Sequence, residues 1–359
     1  MKIAQIAPLY ESVPPCLYGG TERVVAHLTD ALVGLGHDVT LFAAEGSRTC
    51  ANLVAARDQA LRLDSSPLKS ELASHLSLLY ELRHRAASFD VLHFHIDLLH
   101  FPFFEDMAHK VLTTIHGRLD IKDLEGAYSR WSHYPLVSIS QHQRQPLPNA
   151  NWIDTVYHGL PQSSLTFHSR PGDYLAFLGR ISPEKRPDRA IRIARATGLP
   201  LKIAAKVDAA DREYFERQIR PLLAQPGIEF IGEIGDADKS AFLGNARALL
   251  FPIDWPEPFG LVMIEAMACG TPVIAWRCGS VPEVVDHGVT GFIINSEQEA
   301  VLAARQVLEL DRQVIRDVFV RRFSAKVMAQ RYVDLYRTLT DRSDYVVPDI
   351  AHEYIVQQS

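Results

Sequence analysis

The chain has 359 residues, enough for two domains of about 150–200 residues each. Hydrophobic residues make up 47 % and charged residues 22 %, an ordinary globular composition that excludes long disordered stretches. A formal net charge of −6 without a long basic run excludes a general nucleic-acid binder.

The four cysteines, Cys16, Cys50, Cys269 and Cys278, show no C-x-x-C spacing. They read as free thiols in a reducing compartment. The start, Met1–Pro8, is too short in apolar run for a signal peptide and reads as a first buried strand. No segment is apolar for long enough to span a bilayer. A cytoplasmic protein is expected, with peripheral contact at the inner face of the membrane left open.

Short apolar runs alternate with helical patterns along most of the chain, which predicts βαβ units and parallel sheets. In the first half, strands are expected at Lys2–Ala7, Asp38–Ala43, Val91–Phe94, Lys110–Ile115, Pro135–Ile139 and Trp152–Tyr157. Helices fit Thr21–Leu35, Leu68–Ser88 and Leu124–Trp131. A second series follows the Pro/Gly/Ser-containing stretch Gly159–Gly172. Its strands are expected at Tyr174–Leu178, Leu201–Ala205, Ile228–Ile231, Ala248–Phe251, Pro272–Ala275 and Gly291–Ile294. Its helices fit Arg186–Thr197, Ala210–Leu223, Ala237–Asn245, Gly260–Ala268, Pro282–Asp286, Gln298–Glu309, Asp311–Phe319 and Ala325–Leu339. Each half alone suits a doubly wound sheet. Thr340–Ser359 reads as a tail or strap.

Six segments carry chemistry. Leu17-Tyr18-Gly19-Gly20-Thr21-Glu22-Arg23 follows the first strand and opens a helix. Gly19 and Gly20 let backbone approach an anion, and Thr21 suits a helix cap. The dinucleotide fingerprint G-x-G-x-x-G is absent there, which counts against an NAD enzyme. In Asp90–Asp97, His93 and His95 share one strand face. With Asp97 they are compatible with a metal, but a polar strand end with His95 lining a cleft is the plainer reading. In Thr113-Thr114-Ile115-His116-Gly117-Arg118, His116 stands at a strand's C-terminal end, where open α/β sheets bind ligands. A neutral histidine there can accept or donate a hydrogen bond to a substrate hydroxyl or phosphate. Arg118 follows on the same edge.

The fourth segment, Gly179-Arg180-Ile181-Ser182-Pro183-Glu184-Lys185, offers a guanidinium fork and a compact ammonium that suit a diphosphate. The fifth is Trp255-Pro256-Glu257-Pro258-Phe259-Gly260-Leu261-Val262-Met263-Ile264-Glu265. Prolines keep Glu257 out of the helix. Gly260 opens a helix whose first amides lack partners and favour a phosphate. Glu265, one and a half turns further in, can reach a second group of the same ligand. The segment reads as a grip on a phosphorylated, hydroxyl-rich molecule. The sixth, Cys278-Gly279-Ser280-Val281-Pro282-Glu283, is expected to face the same cleft.

Taken in order, these motifs resemble the family 4 retaining glycosyltransferases over nearly the whole chain. The resemblance implies the GT-B architecture, an α/β fold with two Rossmann-like parallel-sheet domains facing across a cleft. The domains would be 1–165 on the acceptor side and 172–324 on the nucleotide-sugar side. Residues 325–359 would be a helix crossing back to the first domain plus a tail. The resemblance places Arg180 and Lys185 on the donor's diphosphate and Glu257 on the donor sugar. It places the amides of Phe259, Gly260, Leu261 and Val262 on sugar and phosphate, and Glu265 on the ribose. Gly19 and Gly20 would let the first loop close over the diphosphate, and His116 would sit beside the transferred sugar. His95 and Arg118 are candidates for the acceptor side of the cleft. The donor would be a nucleotide sugar and the acceptor a glycan, a lipid-linked or a small-molecule hydroxyl. No metal and no other cofactor is expected.

Three positions depart from the family pattern: Gly279-Ser280 for Gly-Gly, Lys206-Val207-Asp208 for a glycine-rich turn, and His158-Gly159 for Asn-Gly at the hinge. None is expected to touch the carboxylates or cations of the grip. A nucleotide-sugar epimerase of the same fold and a non-catalytic sugar-nucleotide sensor are the rival readings. Acceptor contacts are expected from the loops Tyr10–Tyr18 and Leu119–Trp131. The cluster Arg83, His84 and Arg85 reads as a solvated face.

Overall fold

The computed structural model describes residues 1–16 and 19–341. The first sheet has seven strands: β1 (Lys2–Ile6), β2 (Asp38–Ala44), β3 (Asn52–Arg57), β4 (Val91–Phe94), β5 (Val111–Thr114), β6 (Leu136–Ser138) and β7 (Trp152–Thr155). The second has six: β8 (Tyr174–Arg180), β9 (Leu201–Lys206), β10 (Ile228–Gly232), β11 (Ala246–Phe251), β12 (Val273–Trp276) and β13 (Gly291–Ile294). Spatial order is β3-β2-β1-β4-β5-β6-β7 in one and β10-β9-β8-β11-β12-β13 in the other. Neighbouring strands pair in parallel throughout. In each sheet the order reverses beside the first strand, which leaves a crevice beyond the C-terminal strand ends. The central strands read as apolar runs because helices cover both of their faces.

The helix Ala325–Thr340 belongs to the first half by packing, although it follows the second in sequence. Its Met328, Ala329, Tyr332, Val333 and Tyr336 are buried against Ile3, Val24, Leu28, Val91 and Val137. Ser324 caps it, accepting from the Val327 amide. The chain passes the hinge twice, side by side. The Leu160 amide donates to the Phe323 carbonyl at 2.9 Å, and the Ala325 amide donates to the Leu160 carbonyl at 2.8 Å. A Cβ on Gly159 would stand 2.5 Å from the Ser324 oxygen, so only glycine lets the two strands meet.

The structure corrects four sequence expectations. A strand missing from them, β3, lies at the sheet edge with Leu53 exposed, so its apolar signal is weak. The expected helix Ala210–Leu223 is broken, with a π turn at Phe215–Ile219 before Arg220–Leu223. Pro221 has no amide to donate and crowds the preceding turn, which a wider turn relieves. Thr21 is not a cap: the helix Gly20–Gly34 starts one residue earlier, with Gly19 before it and no side-chain cap. The loop Leu119–Trp131 does not line the central cavity, whereas Tyr10 does. Leu17, Tyr18 and the expected tail beyond Asp341 lie outside the described residues.

No helix among the described residues is long and apolar enough to cross a membrane. On the helix Glu71–Arg85 and just before it, Leu68, Leu72, Leu76 and Tyr80 form an exposed apolar stripe at four-residue spacing. Arg83, on the same helix, pairs with Asp106 at 2.6 Å.

Candidate active site

The second half supplies a charged wall. β8 ends at Gly179-Arg180, at the point where the strand order reverses. The Arg180 guanidinium lies 3.5–3.9 Å from the carboxylates of Asp208, Asp211 and Glu184. Lys185 follows on the same loop and forms an ion pair with Glu257. Its ammonium also stands over the Trp255 ring, 5.0 Å from the centroid. Lys185 and Glu257 are both largely buried, where a charge is tolerated only with a partner.

The loop carrying Glu257 is held from behind. Gly279 lies against the Glu257 backbone so closely that a Cβ would meet its amide and carbonyl at 2.4 Å. The Ser280 amide donates to the Glu257 carbonyl at 3.0 Å, and the Ser280 hydroxyl donates to the Phe259 carbonyl at 2.7 Å. Gly260, at φ +80°, reverses the chain into the helix Leu261–Ala268, a conformation that costs glycine nothing. Glu265, in the second turn of that helix, is buried and pairs with Lys239 at 2.6 Å.

The first half supplies buried neutral rings, beside the charged side chains Glu22, Arg23, Arg62, Asp97 and Arg118. His95 follows β4 and His116 follows β5, and parallel pairing of those strands sets the two rings side by side. The nitrogens His95 Nδ1 and His116 Nε2 are 2.8 Å apart. The His116 ring also stacks on His158, with centroids 5.2 Å apart. Burial pushes the His116 pKa down to about 3. Burial, and next the neighbouring histidines, push that of His95 well below the ordinary range. Both rings are therefore neutral at physiological pH. His93 points away from the cleft into the core, bonded to Tyr336 at 2.7 Å and Thr114 at 2.8 Å. Among the described residues no group of three histidine, cysteine or carboxylate side chains is placed to hold a metal.

The two walls enclose one cavity of about 700 Å³. From the second half it is lined by Arg180, Lys185, Glu257 and Glu265, together with the helix start at Phe259, Gly260, Leu261 and Val262. From the first half it is lined by Gly19, Gly20, His95, His116 and Arg118. Every residue that the resemblance assigned to donor, sugar or acceptor side thus faces the same space. Helix starts meet across it: a Cβ on Gly20 would lie 3.8 Å from Leu261 Cδ1. Two amino-terminal helix ends therefore face one cavity, an arrangement suited to a phosphorylated ligand. Arg118 bridges the mouth to Glu184 at 3.1 Å.

Two expectations about the surroundings fail. The sixth segment does not line the cavity. It backs the Glu257 loop, and its Glu283 accepts from the Gln141 and His142 amides of the first half at 2.7 and 2.8 Å. Two of the three departures do touch the grip: Asp208 lies 3.5 Å from Arg180, and Gly279 and Ser280 hold Glu257. The third, His158, stacks on His116. Close packing at the crevice joins residues far apart in the chain, which linear distance from the motifs cannot show. Sequence reasoning also missed Lys239 and Gln5. Lys239 has the look of any solvated helix cation. Gln5 did leave a signal, a single amide inside the buried run Ile3–Ile6.

Comparison with known proteins adds a family to this geometry. Residues 168–316 match the profile of the glycosyl transferases group 1 and residues 18–159 that of Glycosyltransferase Family 4. Over 239 residues the chain is 29 % identical to a phosphatidyl-myo-inositol mannosyltransferase of Mycobacterium leprae. That match spans 63 % of this chain and 60 % of the relative's length. The crystal structure of AviGT4, a glycosyltransferase involved in avilamycin A biosynthesis, superposes with a TM-score of 0.74 at 25 % identity, covering 95 % of this chain and 98 % of that one. Anabaena Alr3699/HepE in complex with UDP and glucose superposes at 0.71 with 17 % identity, covering 94 % and 100 %, and shows likeness of fold. With both halves matched in order and two parallel sheets closing on one cleft, the chain belongs to the family 4 glycosyltransferases and has the GT-B fold.

Proposed function

We propose that the protein transfers a hexose-type sugar from a nucleoside-diphosphate sugar to an acceptor hydroxyl with retention of anomeric configuration. The observation that carries this reading is the single cavity lined by the cations, the carboxylates, both helix starts and His116. Its two walls divide the work. Breaking the glycosyl–phosphate bond leaves new negative charge on the diphosphate. Arg180, Lys185 and the amides at Gly260 are charges and dipoles already fixed where that charge develops. Glu257 takes hydroxyls of the donor sugar and Glu265 those of the ribose. His116 stands beside the transferred sugar, with His95 and Arg118 toward the acceptor. The departing phosphate oxygen accepts the acceptor's proton as the new bond forms on the same face. We favour this same-face route over one with Glu257 as a covalent nucleophile.

UDP and glucose are bound by the Anabaena neighbour, which makes a uridine nucleotide the first donor to try. The Mycobacterium leprae relative acts as a phosphatidyl-myo-inositol mannosyltransferase, which adds mannose donors and lipid-linked acceptors to the panel. The exposed stripe Leu68, Leu72, Leu76 and Tyr80 supports peripheral membrane contact. A panel of nucleotide sugars, read by release of the nucleoside diphosphate and by thermal stabilisation, tests the reading. One nucleotide should raise the melting temperature and its sugar conjugate should be turned over. Failure of every nucleotide to stabilise the protein would overturn it.

A further inference from the structure

His116 is one end of a buried chain of hydrogen bonds that leaves the cleft and ends on the crossing helix. His116 Nε2 is 2.8 Å from His95 Nδ1, and His95 Nε2 is 2.8 Å from Gln5 Oε1. Gln5 Nε2 is 3.0 Å from the Tyr336 hydroxyl and 3.3 Å from His93 Nδ1. Gln5, His93, His95 and Tyr336 are all buried, so each proton in the chain needs a partner.

With the Gln5 oxygen turned to His95, one amide hydrogen goes to the Tyr336 hydroxyl, which passes its own to His93 Nδ1 at 2.7 Å. The amide oxygen is left to accept. A neutral imidazole has one N–H, so His95 must carry it on Nε2 to reach Gln5 Oε1. His95 Nδ1 is then an acceptor, and His116 must carry its own hydrogen on Nε2. His116 Nδ1 is left as a lone pair, buried and without a partner among the described residues. Turning the Gln5 amide over would make His116 Nδ1 an unpaired buried donor, a rarer defect than an unpaired acceptor. Burial keeps His93, His95 and His116 neutral, as this bookkeeping of single protons requires.

We infer that Gln5 and His95 are positioning residues that fix His116 as its Nε2–H tautomer, so that His116 meets its substrate only as a hydrogen-bond acceptor. The ring lines the cavity. Its Nδ1 is covered in the structure, and a ligand group that reaches it must bring a proton to give, as a sugar or acceptor hydroxyl does. An ionised phosphate oxygen has none. The inference rests on the glycosyltransferase reading for the identity of that hydroxyl. The tautomer itself does not depend on it.

Long-range proton–nitrogen spectra of the full chain carrying ¹⁵N-histidine test the tautomer without any ligand. The variants His116→Asn and His95→Asn assign the signals by their disappearance. The wild type should show both rings protonated on Nε2 and bare on Nδ1. Gln5→Leu should leave His95 and His116 in mixed tautomers, and His95→Phe should do the same to His116 should Gln5→Leu fail to fold. A wild-type His116 protonated on Nδ1, or a His116 signal unchanged in a folded Gln5→Leu protein, overturns the inference.

UDP-glucose and GDP-mannose, added to separate samples, probe the hydroxyl. The sugar conjugate that binds should shift the His116 Nδ1 resonance, and its free nucleoside diphosphate should not. Equal shifts with the free diphosphate overturn the choice of hydroxyl over phosphate. Absence of binding by any nucleotide counts against the proposed function and leaves the tautomer result standing. In a folded Gln5→Leu enzyme, kcat should fall on the order of 10-fold, as for outer partners that orient a ligating histidine, with donor KM unchanged. A fall confined to KM would overturn the positioning role.

Discussion

The two walls of the cleft are built on opposite principles. The second half presents ions in close pairs, Lys185 with Glu257 and Lys239 with Glu265, from loops and helix starts. The first half presents neutral rings. On the cavity these are His95, His116 and His158, with Arg23, Arg62 and Arg118 beside them, while His27, His93 and His100 lie outside its lining. Burial pushes all six well below the ordinary histidine range, and all precede the hinge. Ion pairs can open and hand their charges to an ionic ligand. A neutral network holds geometry and proton positions, and suits a ligand face made of hydroxyls. The difference teaches that one cavity can draw close ion pairs from one domain and a buried neutral hydrogen-bond network from the other.

The largest expected effect comes from breaking the charged wall. Lys185→Ala leaves Glu257 largely buried without its cation and removes the charge proposed to hold the diphosphate. Loss of one such preorganised group lowers kcat by roughly 100- to 1,000-fold. Steady-state rates with the donor found by the panel measure it, and the His116 ¹⁵N signals should stay in place. A parallel change in the tautomers would dissolve the division between the walls.

Acid tests the neutral rings. The buried histidines have folded pKa values depressed below the unfolded value of about 6.5, to about 3 for His116 and about 4 for His27. Below about pH 6.5 the unfolded chain therefore binds more protons than the folded one. Stability must then fall as pH drops, by about 1.4 kcal/mol per pH unit for each such ring. Urea unfolding at pH 7.5 and 5.5 measures the slope. His27→Leu should flatten it by the share of one ring, whereas an unchanged slope would mean that His27 is not held neutral by burial.

Gly279→Ala asks how far the charged wall depends on its backing. The new Cβ meets the Glu257 backbone at φ +56°, so the Glu257 loop must shift. A strained residue of this kind costs about 1–3 kcal/mol. Donor affinity should weaken along with melting temperature, and unaltered affinity would show that the loop is not held from Gly279. The smallest effect is expected from Tyr336→Phe, which removes one acceptor of the Gln5 amide. It should cost about 1 kcal/mol while leaving nucleoside-diphosphate affinity untouched, as calorimetric titration would show.

The sequence by itself determined the elements and the charged wall. Strand and helix signals rest on local periodicity and turn residues. Arg180 with Lys185, and Glu257 with Glu265, sit within single short segments whose prolines and glycines state their own geometry. The edge strand β3 and the broken helix around Pro221 escaped because their signals compete with exposure and with a local wider turn. Tertiary structure alone decided the neutral network. Gln5, His95, His116 and Tyr336 come from three parallel strands and a helix some 330 residues away in the chain. No local pattern brings a lone buried amide to two histidines and a tyrosine, because parallel pairing and the return of the last helix do that only after the whole domain has closed.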